Sequence, residues 1–276
     1  MNILITGGSG LIGRNLVAEL SKNNSLKIFL ISLDKKAKNK NANVTNINHD
    51  LLKPIPEEKI PKNINIIIHL AAIAHKFDNQ TKTINCLITK NIIDAFTNKK
   101  IRFIFFSSVA VYGEANRKFP IGVSDFCKPY SNYGLGKLKD EKIISSSFND
   151  FIILRLCPVI EGDDTDLLKR VYLPKTKIKY RSSYNRSYSF LSHGTIFKSV
   201  INIINQNEIT NRIINLKDSI SYSESDILNK YNGREVKIPL LITMPLFYIL
   251  NLFSFLPKIY TINCLLTKML KSNTYE

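Results

Sequence analysis

Met1-Asn2-Ile3-Leu4-Ile5-Thr6-Gly7-Gly8-Ser9-Gly10-Leu11-Ile12-Gly13 decides the fold. Ile3, Leu4 and Ile5 read as a short buried strand, and Leu11, Ile12, Leu16, Val17 and Leu20 give the 3.6-residue stripe of a helix that follows at once. Glycines at three-residue spacing join the two. Gly7 supplies the positive φ of a tight strand-to-helix turn, Gly10 lets a pyrophosphate approach the backbone, and Gly13 lets the helix lie close on the strand. Unpaired N–H groups and the positive dipole end of that helix bind an anion without a basic side chain. Strand, loop and helix together read as a dinucleotide cradle.

Outward from this start, strand-like runs recur at Ile3 to Thr6, Lys27 to Ser32, Val44 to Asn48, Ile64 to Ala72, Arg102 to Ser107 and Phe151 to Leu156. Helical patterns lie between most of them, at Leu11 to Lys22, Thr81 to Thr97 and Asn132 to Ser147. Such alternation predicts an α/β fold, a Rossmann doubly wound parallel sheet with a smaller C-terminal substrate-binding lobe. The expected domains are residues 1–161, which bind the cofactor, and 162–276, which bind substrate, with interleaving of the two left open. In the lobe, Asp164 to Tyr172 and Ser223 to Asn229 read as helical and Ile178 to Leu191 as extended.

Composition sets the outer limits. The net charge of +17 suits a phosphorylated substrate, a polyanion or an anionic membrane. Its densest run, Lys35, Lys36, Lys38 and Lys40, falls past the second strand rather than along one helix, which argues against a nucleic-acid arm. Cys86, Cys127, Cys157 and Cys264 show no CxxC spacing, and no metal-ligand spacing joins the four histidines, so reduced thiols in a cytoplasmic protein without a metal are expected. Met1 stands almost inside the first strand, so no signal peptide is expected to precede it. The uncharged stretch from Ile238 to Pro257 reaches the length of a membrane span, but Pro239 and Pro245 favour a buried or surface-lying helix pair, with Lys258 and Lys268 available to anionic lipid.

Tyr133-Gly134-Leu135-Gly136-Lys137 puts a phenol and an ammonium four residues apart, on one face of a helix. A nearby cation is expected to lower the phenol pKa, as proton transfer near neutral pH requires. Ser107-Ser108-Val109-Ala110-Val111-Tyr112-Gly113 ends a strand at the carboxyl edge of the sheet, where ligands bind in open α/β folds.

With these residues the chain resembles an extended short-chain dehydrogenase/reductase of the nucleotide-sugar epimerase, dehydratase and reductase group. The matches run in order: Thr6 to Gly13, His49-Asp50-Leu51, His69-Leu70-Ala71-Ala72, Asn85, Ser107-Ser108 with Val111-Tyr112-Gly113, and Tyr133 with Lys137. The resemblance implies that Ser108, Tyr133 and Lys137 are catalytic, with Tyr133 as general acid/base and Lys137 on the nicotinamide ribose. It implies cofactor contacts at Gly7, Gly10, Leu11, Ile12, Gly13, Asp50, Leu51, Leu70, Ala71, Ala72, Asn85, Tyr133 and Lys137. Ser108 would also touch the sugar, and Arg186 resembles the arginine that grips the sugar nucleotide's diphosphate, a bidentate task that suits a guanidinium. His75 follows the alanine pair, a placement seen in members linked to polysaccharide and O-antigen sugars.

The reaction implied is hydride transfer at sugar C4 of a nucleotide sugar, UDP-linked in the leading reading, in surface-polysaccharide synthesis. Epimerisation leads, with a 4-keto-sugar reductase as the alternative and a non-catalytic NAD(P)-binding protein as a third reading. No acid stands at Ser108-Val109-Ala110, which disfavours the dehydratases. The cofactor is NAD or NADP: Asp34 would select NAD by binding the ribose 2′-hydroxyl, whereas Lys35 and Lys36 would accept a 2′-phosphate. Family analogy adds a homodimer built on the helices near Thr81 and Asn132. Family members usually continue past this C-terminus, so the lobe is expected to be short there.

Overall fold

A computed structural model describes residues 1–33, 41–73, 80–96, 100–113, 119–160, 171, 178–181, 186–230, 234–237, 240–253 and 255–276. In chain order the strands are β1 Asn2–Thr6, β2 Lys27–Ser32, β3 Val44–Asn48, β4 Ile66–His69, β5 Arg102–Ser108, β6 Asp150–Leu156, β7 Val159–Ile160, β8 Ile178–Arg181, β9 Ser187–Ser189, β10 Leu191–Ser192, β11 Asn211–Leu216, β12 Ser221–Ser223 and β13 Arg234–Lys237. The helices are α1 Leu11–Leu20, α2 Thr81–Ala95, α3 Asn132–Ser147, α4 His193–Ile204, α5 Glu224–Lys230, α6 Leu240–Leu252 and α7 Pro257–Leu270. The expected helix over Asp164 to Tyr172 falls almost wholly outside the described residues, as do Asp34 and His75.

A seven-stranded sheet runs in the order β11-β6-β5-β4-β1-β2-β3, and every pair from β3 to β5 is parallel. Ile3, Leu4 and Ile5 of β1 have no exposed surface, and neither do Ile67 and Ile68 of β4. A continuous apolar run is what a central strand covered on both faces requires. Strand order reverses between β1 and β4, which opens a crevice beyond their carboxyl ends. One core cluster joins Leu4, Ile67, Phe103 and Phe105 of the sheet to Ile88 and Ile92 of α2 and Ile144 of α3.

The chain divides into two compact units, and both are discontinuous. The first takes Met1–Val111, Ser131–Arg155 and Ile196–Ile214; the second takes Tyr112–Tyr130, Leu156–Thr195 and Asn215–Glu276. Most of β11 and most of α4 therefore return to the sheet-bearing unit from beyond the expected boundary at residue 161. Arg102 at the start of β5 ties this return together. Its guanidinium donates to Asp150 and to the carbonyls of Ile203 in the last turn of α4 and of Gln206 and Glu208 just past it.

In the second unit the extended run from Ile178 resolves into three short strands with separate partners: β8 pairs β13, β9 pairs β12, and β10 pairs β7. Its small core holds Val171, Tyr188, Phe190, Ile227 and Leu228. The helix expected over Ser223 to Asn229 is α5.

Candidate active site

Gly7 adopts φ 73°, the left-handed conformation the turn after β1 demands. A Cβ at Gly7 would lie 2.5 Å from the Ala71 nitrogen, and one at Gly13 would lie 2.2 Å from the Gly7 carbonyl oxygen, so both positions are closed to a side chain. Gly10 caps α1 with ordinary extended backbone, and no side chain caps the helix there. The first turn of α1 holds no acidic residue, so its N–H groups stay open to an anion. Beside this turn lies a cavity of about 240 Å³, lined among others by Gly7, Ser32, Asp50, Leu51, Ala71 and Ile73. Loop, uncapped helix and mostly apolar cavity together fit the phosphates and adenosine end of a dinucleotide.

The surrounding side chains hold this shape. The Asp50 carboxylate accepts from the Leu52 N–H at 3.0 Å, and Asn91 donates to the Leu51 carbonyl at 2.8 Å. Asn85 on α2 exchanges two hydrogen bonds with the backbone of Ile73, at 2.8 and 3.0 Å, and so fixes the path of the chain after Leu70, Ala71 and Ala72. Ala71 N–H donates to the Thr6 hydroxyl at 3.3 Å.

Strand alternation separates the two serines that end β5. Ser107 is buried and donates to Glu141 at 2.5 Å, and Glu141 in turn pairs with the buried Arg155 at 2.8 Å. Ser108 stays partly open, accepts from the Ala110 N–H at 3.2 Å, and lies close enough to Tyr133 to bear on its phenol. The geometry thus gives Ser107 to the scaffold and Ser108 to the rim. Helix α3 delivers Tyr133 and Lys137 on successive turns, and Ser131 caps it by accepting from Gly134 N–H at 3.1 Å.

Lys137 is 2% exposed, donates to the Phe106 carbonyl at 2.7 Å, and lies 4.5 Å from the Phe105 ring centre and 6.0 Å from that of Tyr133. Burial lowers its pKa to about 8, against the pull of Asp140 and Glu141. The expected depression of the phenol does not occur in this state. Burial of the Tyr133 hydroxyl pushes it up to about 12, although Ser108 works in the opposite direction. The ammonium is turned to a backbone carbonyl, and desolvation wins.

Behind the rim runs a buried polar chain. The Thr6 hydroxyl meets His69 Nδ1 at 2.7 Å, and His69 Nε2 meets the Thr89 hydroxyl at 3.1 Å. Burial and the charge of Lys137 hold the His69 pKa down at about 3, so the ring is neutral. Asp140, one turn beyond Lys137, lies close enough to Cys86 and Thr89 to feel both, and among the described residues its buried Oδ1 has no hydrogen-bond partner. Burial raises its pKa to about 6, with Lys137 opposing. Asp140 and Glu141 escape a reading by periodicity; their signal is the spacing of three and four residues from Lys137 on one helix.

Arg186, in the second unit, is fully buried. Its guanidinium pairs with the equally buried Glu224 and lies 5.0 and 5.4 Å from the ring centres of Tyr180 and Tyr188. In this structure its Nε and Nη2 both donate to one oxygen, Glu224 Oε1, so the anion it holds is a carboxylate of its own chain.

Residues 3–166 match the NAD dependent epimerase/dehydratase family. The chain is 33% identical to the D-erythronate dehydrogenase of Haemophilus influenzae over 56% of this chain and 54% of that protein. It is 24% identical to the UDP-glucose 4-epimerase of Vibrio cholerae over 83% of this chain and 74% of that protein. Among solved structures, a UDP-N-acetylglucosamine 4-epimerase from Methanobrevibacter ruminantium, in complex with UDP-N-acetylmuramic acid, superposes with TM-score 0.67 at 25% identity, covering 86% of this chain and 84% of that one. The chain spans about half the length, 49% and 54%, of the curated relatives it matches at above 30% identity.

Proposed function

Since the chain belongs to the NAD dependent epimerase/dehydratase family, we propose that it is a nucleotide-sugar 4-epimerase that works on a UDP-linked sugar. The observation that carries this reading is the meeting of Ser108, Tyr133 and Lys137 where β5 ends and α3 begins, in the same unit as the glycine cradle. The names of the relatives support the sugar and its UDP carrier, and the D-erythronate dehydrogenase marks the breadth of chemistry this scaffold accepts. Gly7, Gly10, Leu11, Ile12, Gly13, Asp50, Leu51 and Asn85 would hold NAD, which when bound supplies the hydride acceptor and donor.

The chain's own residues manage the proton. Ser108 orients the sugar hydroxyl by hydrogen bonding it, and Tyr133 takes the hydroxyl proton as the C4 hydrogen leaves. Tyr133 returns that proton when hydride comes back to the opposite face. Lys137, buried and cationic below about pH 8, would favour the phenolate half of this cycle by turning its ammonium from the Phe106 carbonyl toward Tyr133. A second reading, reduction of a 4-keto sugar nucleotide, is favoured by the high pKa of Tyr133, because a phenol held protonated is ready to donate. Synthesis of surface-polysaccharide sugars in the cytoplasm is the setting proposed for either reaction. Leu87 on α2 and Leu135 on α3 are exposed on paired helices, which supports a homodimer built there.

Incubation with UDP- and dTDP-sugars and their 4-keto forms, with NADH or NADPH, read by NMR, separates the readings. An epimerase interconverts the C4 epimers with no net change in nicotinamide absorbance. A reductase consumes the reduced cofactor stoichiometrically with the keto sugar. No turnover of any member of the panel, with NAD bound, would return the protein to the non-catalytic class.

A further inference from the structure

The hairpin of α6 and α7 wears its apolar side outward. A surface helix ordinarily buries its apolar stripe and gives its polar residues to water. In α7 the order is reversed: Asn263 and Thr267 are fully buried beside Tyr260 and Cys264, while Ile262 and Leu265 are exposed. Asn263 donates to Asn251 and the Thr267 hydroxyl to the Asn263 carbonyl, while among the described residues the Asn263 side-chain oxygen has no hydrogen-bond partner. On α6, Leu246, Ile249 and Leu252 recur every turn on the exposed side. Phe253, Phe255 and Leu256 continue the apolar surface through the connecting turn, where Leu252 and Phe255 are 75% and 74% exposed. A run of exposed leucine, isoleucine and phenylalanine marks an interaction surface.

Charge selects the partner. From Lys237 to Tyr275 the chain carries four lysines, Lys237, Lys258, Lys268 and Lys271, and no acidic residue. Lys258 is exposed directly beside the aromatic tip. A second copy docked symmetrically would set these lysines against their own counterparts with no carboxylate in the hairpin to answer them. Lys268 is turned to the Tyr130 hydroxyl, whereas Lys258 is exposed beside the apolar side chains, and an anionic lipid surface answers that charge and takes up those side chains as well. Neither helix is long enough to span: the 13 residues of α6 reach about 20 Å against a hydrocarbon core of about 30 Å. Among the described residues no helix is long and apolar enough to cross a membrane.

We propose that the α6–α7 hairpin docks this protein on an anionic bilayer, with the Phe253–Phe255 turn entering the headgroup region and Lys258 seated on lipid phosphates. Flotation of the full chain with vesicles of phosphatidylcholine, alone or mixed with phosphatidylglycerol, tests it. The protein is expected to float with the anionic vesicles and to be released by high salt. The double variant Phe253→Ser/Phe255→Ser should bind more than about tenfold more weakly through lost apolar burial, and Lys258→Glu at least about fivefold more weakly in low salt. Both variants should keep wild-type turnover of soluble nucleotide sugar and a wild-type melting temperature, which separates docking from folding and from the reaction. Failure of the wild type to float with anionic vesicles overturns the proposal. So does a wild-type dimer that the double variant dissociates, because the hairpin would then be covered by a second copy.

Discussion

Tyr133 and the buried ring behind it make separable demands at the level of single residues. Tyr133→Phe removes one hydroxyl and leaves the ring that lies over Lys137, so NAD affinity by calorimetry should stay at the wild-type value while turnover falls roughly 10²- to 10⁴-fold. Unchanged turnover would remove Tyr133 from the chemistry. His69 and Asp140 make opposite demands on stability. The His69 pKa falls from 6.5 to about 3 on folding, so between those values the unfolded chain takes a proton that the folded one refuses, and stability is lost as pH falls. Asp140 rises from 3.8 to about 6, so over that window the folded chain holds the extra proton and stability is lost as pH rises. Each slope reaches at most about 1.4 kcal/mol per pH unit, and from pH 4 to 6 the two oppose each other. Urea unfolding across that window should therefore show Asp140→Asn gaining stability with pH more steeply than wild type, and His69→Asn tilting the other way. Parallel profiles for all three proteins would mean that neither group titrates as its burial requires.

Helix α1 and helix α3 differ in how much of each could be read from sequence. The strand and glycine turn of β1 and α1 appear where the sequence puts them, because close approach of backbone to backbone leaves glycine as the residue that fits; of the expected stripe Leu16, Val17 and Leu20 are buried and Leu11 is exposed. This divides the glycines by task. Gly13→Ala puts a Cβ 2.2 Å from a carbonyl oxygen and should lower the melting temperature as well as abolish NAD binding. Gly10→Ala meets the nearest atom at 3.3 Å with φ −70°, so the free protein should melt as wild type and lose only NAD affinity, by about tenfold or more. Equal loss of stability in the two variants would contradict that division. In α3 the limits Asn132 to Ser147 were legible from its pattern, but its buried face was not: Lys137, Asp140 and Glu141 lie inward, and a charged side normally reads as solvated. A Cβ on Gly136 would stand 3.3 Å from Lys82 Cα, and this close approach to α2 carries the polar residues inside. Their partners Arg155, Cys86 and Thr89 come from distant segments, which no local pattern connects.

The same limit governs the whole molecule. The parallel sheet from β3 to β5 follows from alternation within the first 110 residues, whereas the return of Ile196–Ile214 to that unit depends on contacts across about a hundred residues. The expected boundary at residue 161, with interleaving left open, rests on βα alternation that fades there, and the first unit takes Ile196–Ile214 from beyond it. Arg102 shows the cost of a cut there. It is buried against Asp150 on one side and three carbonyls at and just past the end of α4 on the other, and only Asp150 lies before residue 161. Arg102→Met in the full chain leaves a buried carboxylate unpaired and should cost about 3 to 5 kcal/mol in chemical unfolding. A fragment ending at residue 161 loses β11, which pairs β6, together with the apolar face of α4 at Ile196, Val200 and Ile203. It should show no cooperative urea transition and should associate through the uncovered edge of β6. A fragment ending at residue 216 restores both elements and is expected to recover the transition. Cooperative unfolding of the shorter fragment would mean that the first unit needs nothing from the later chain.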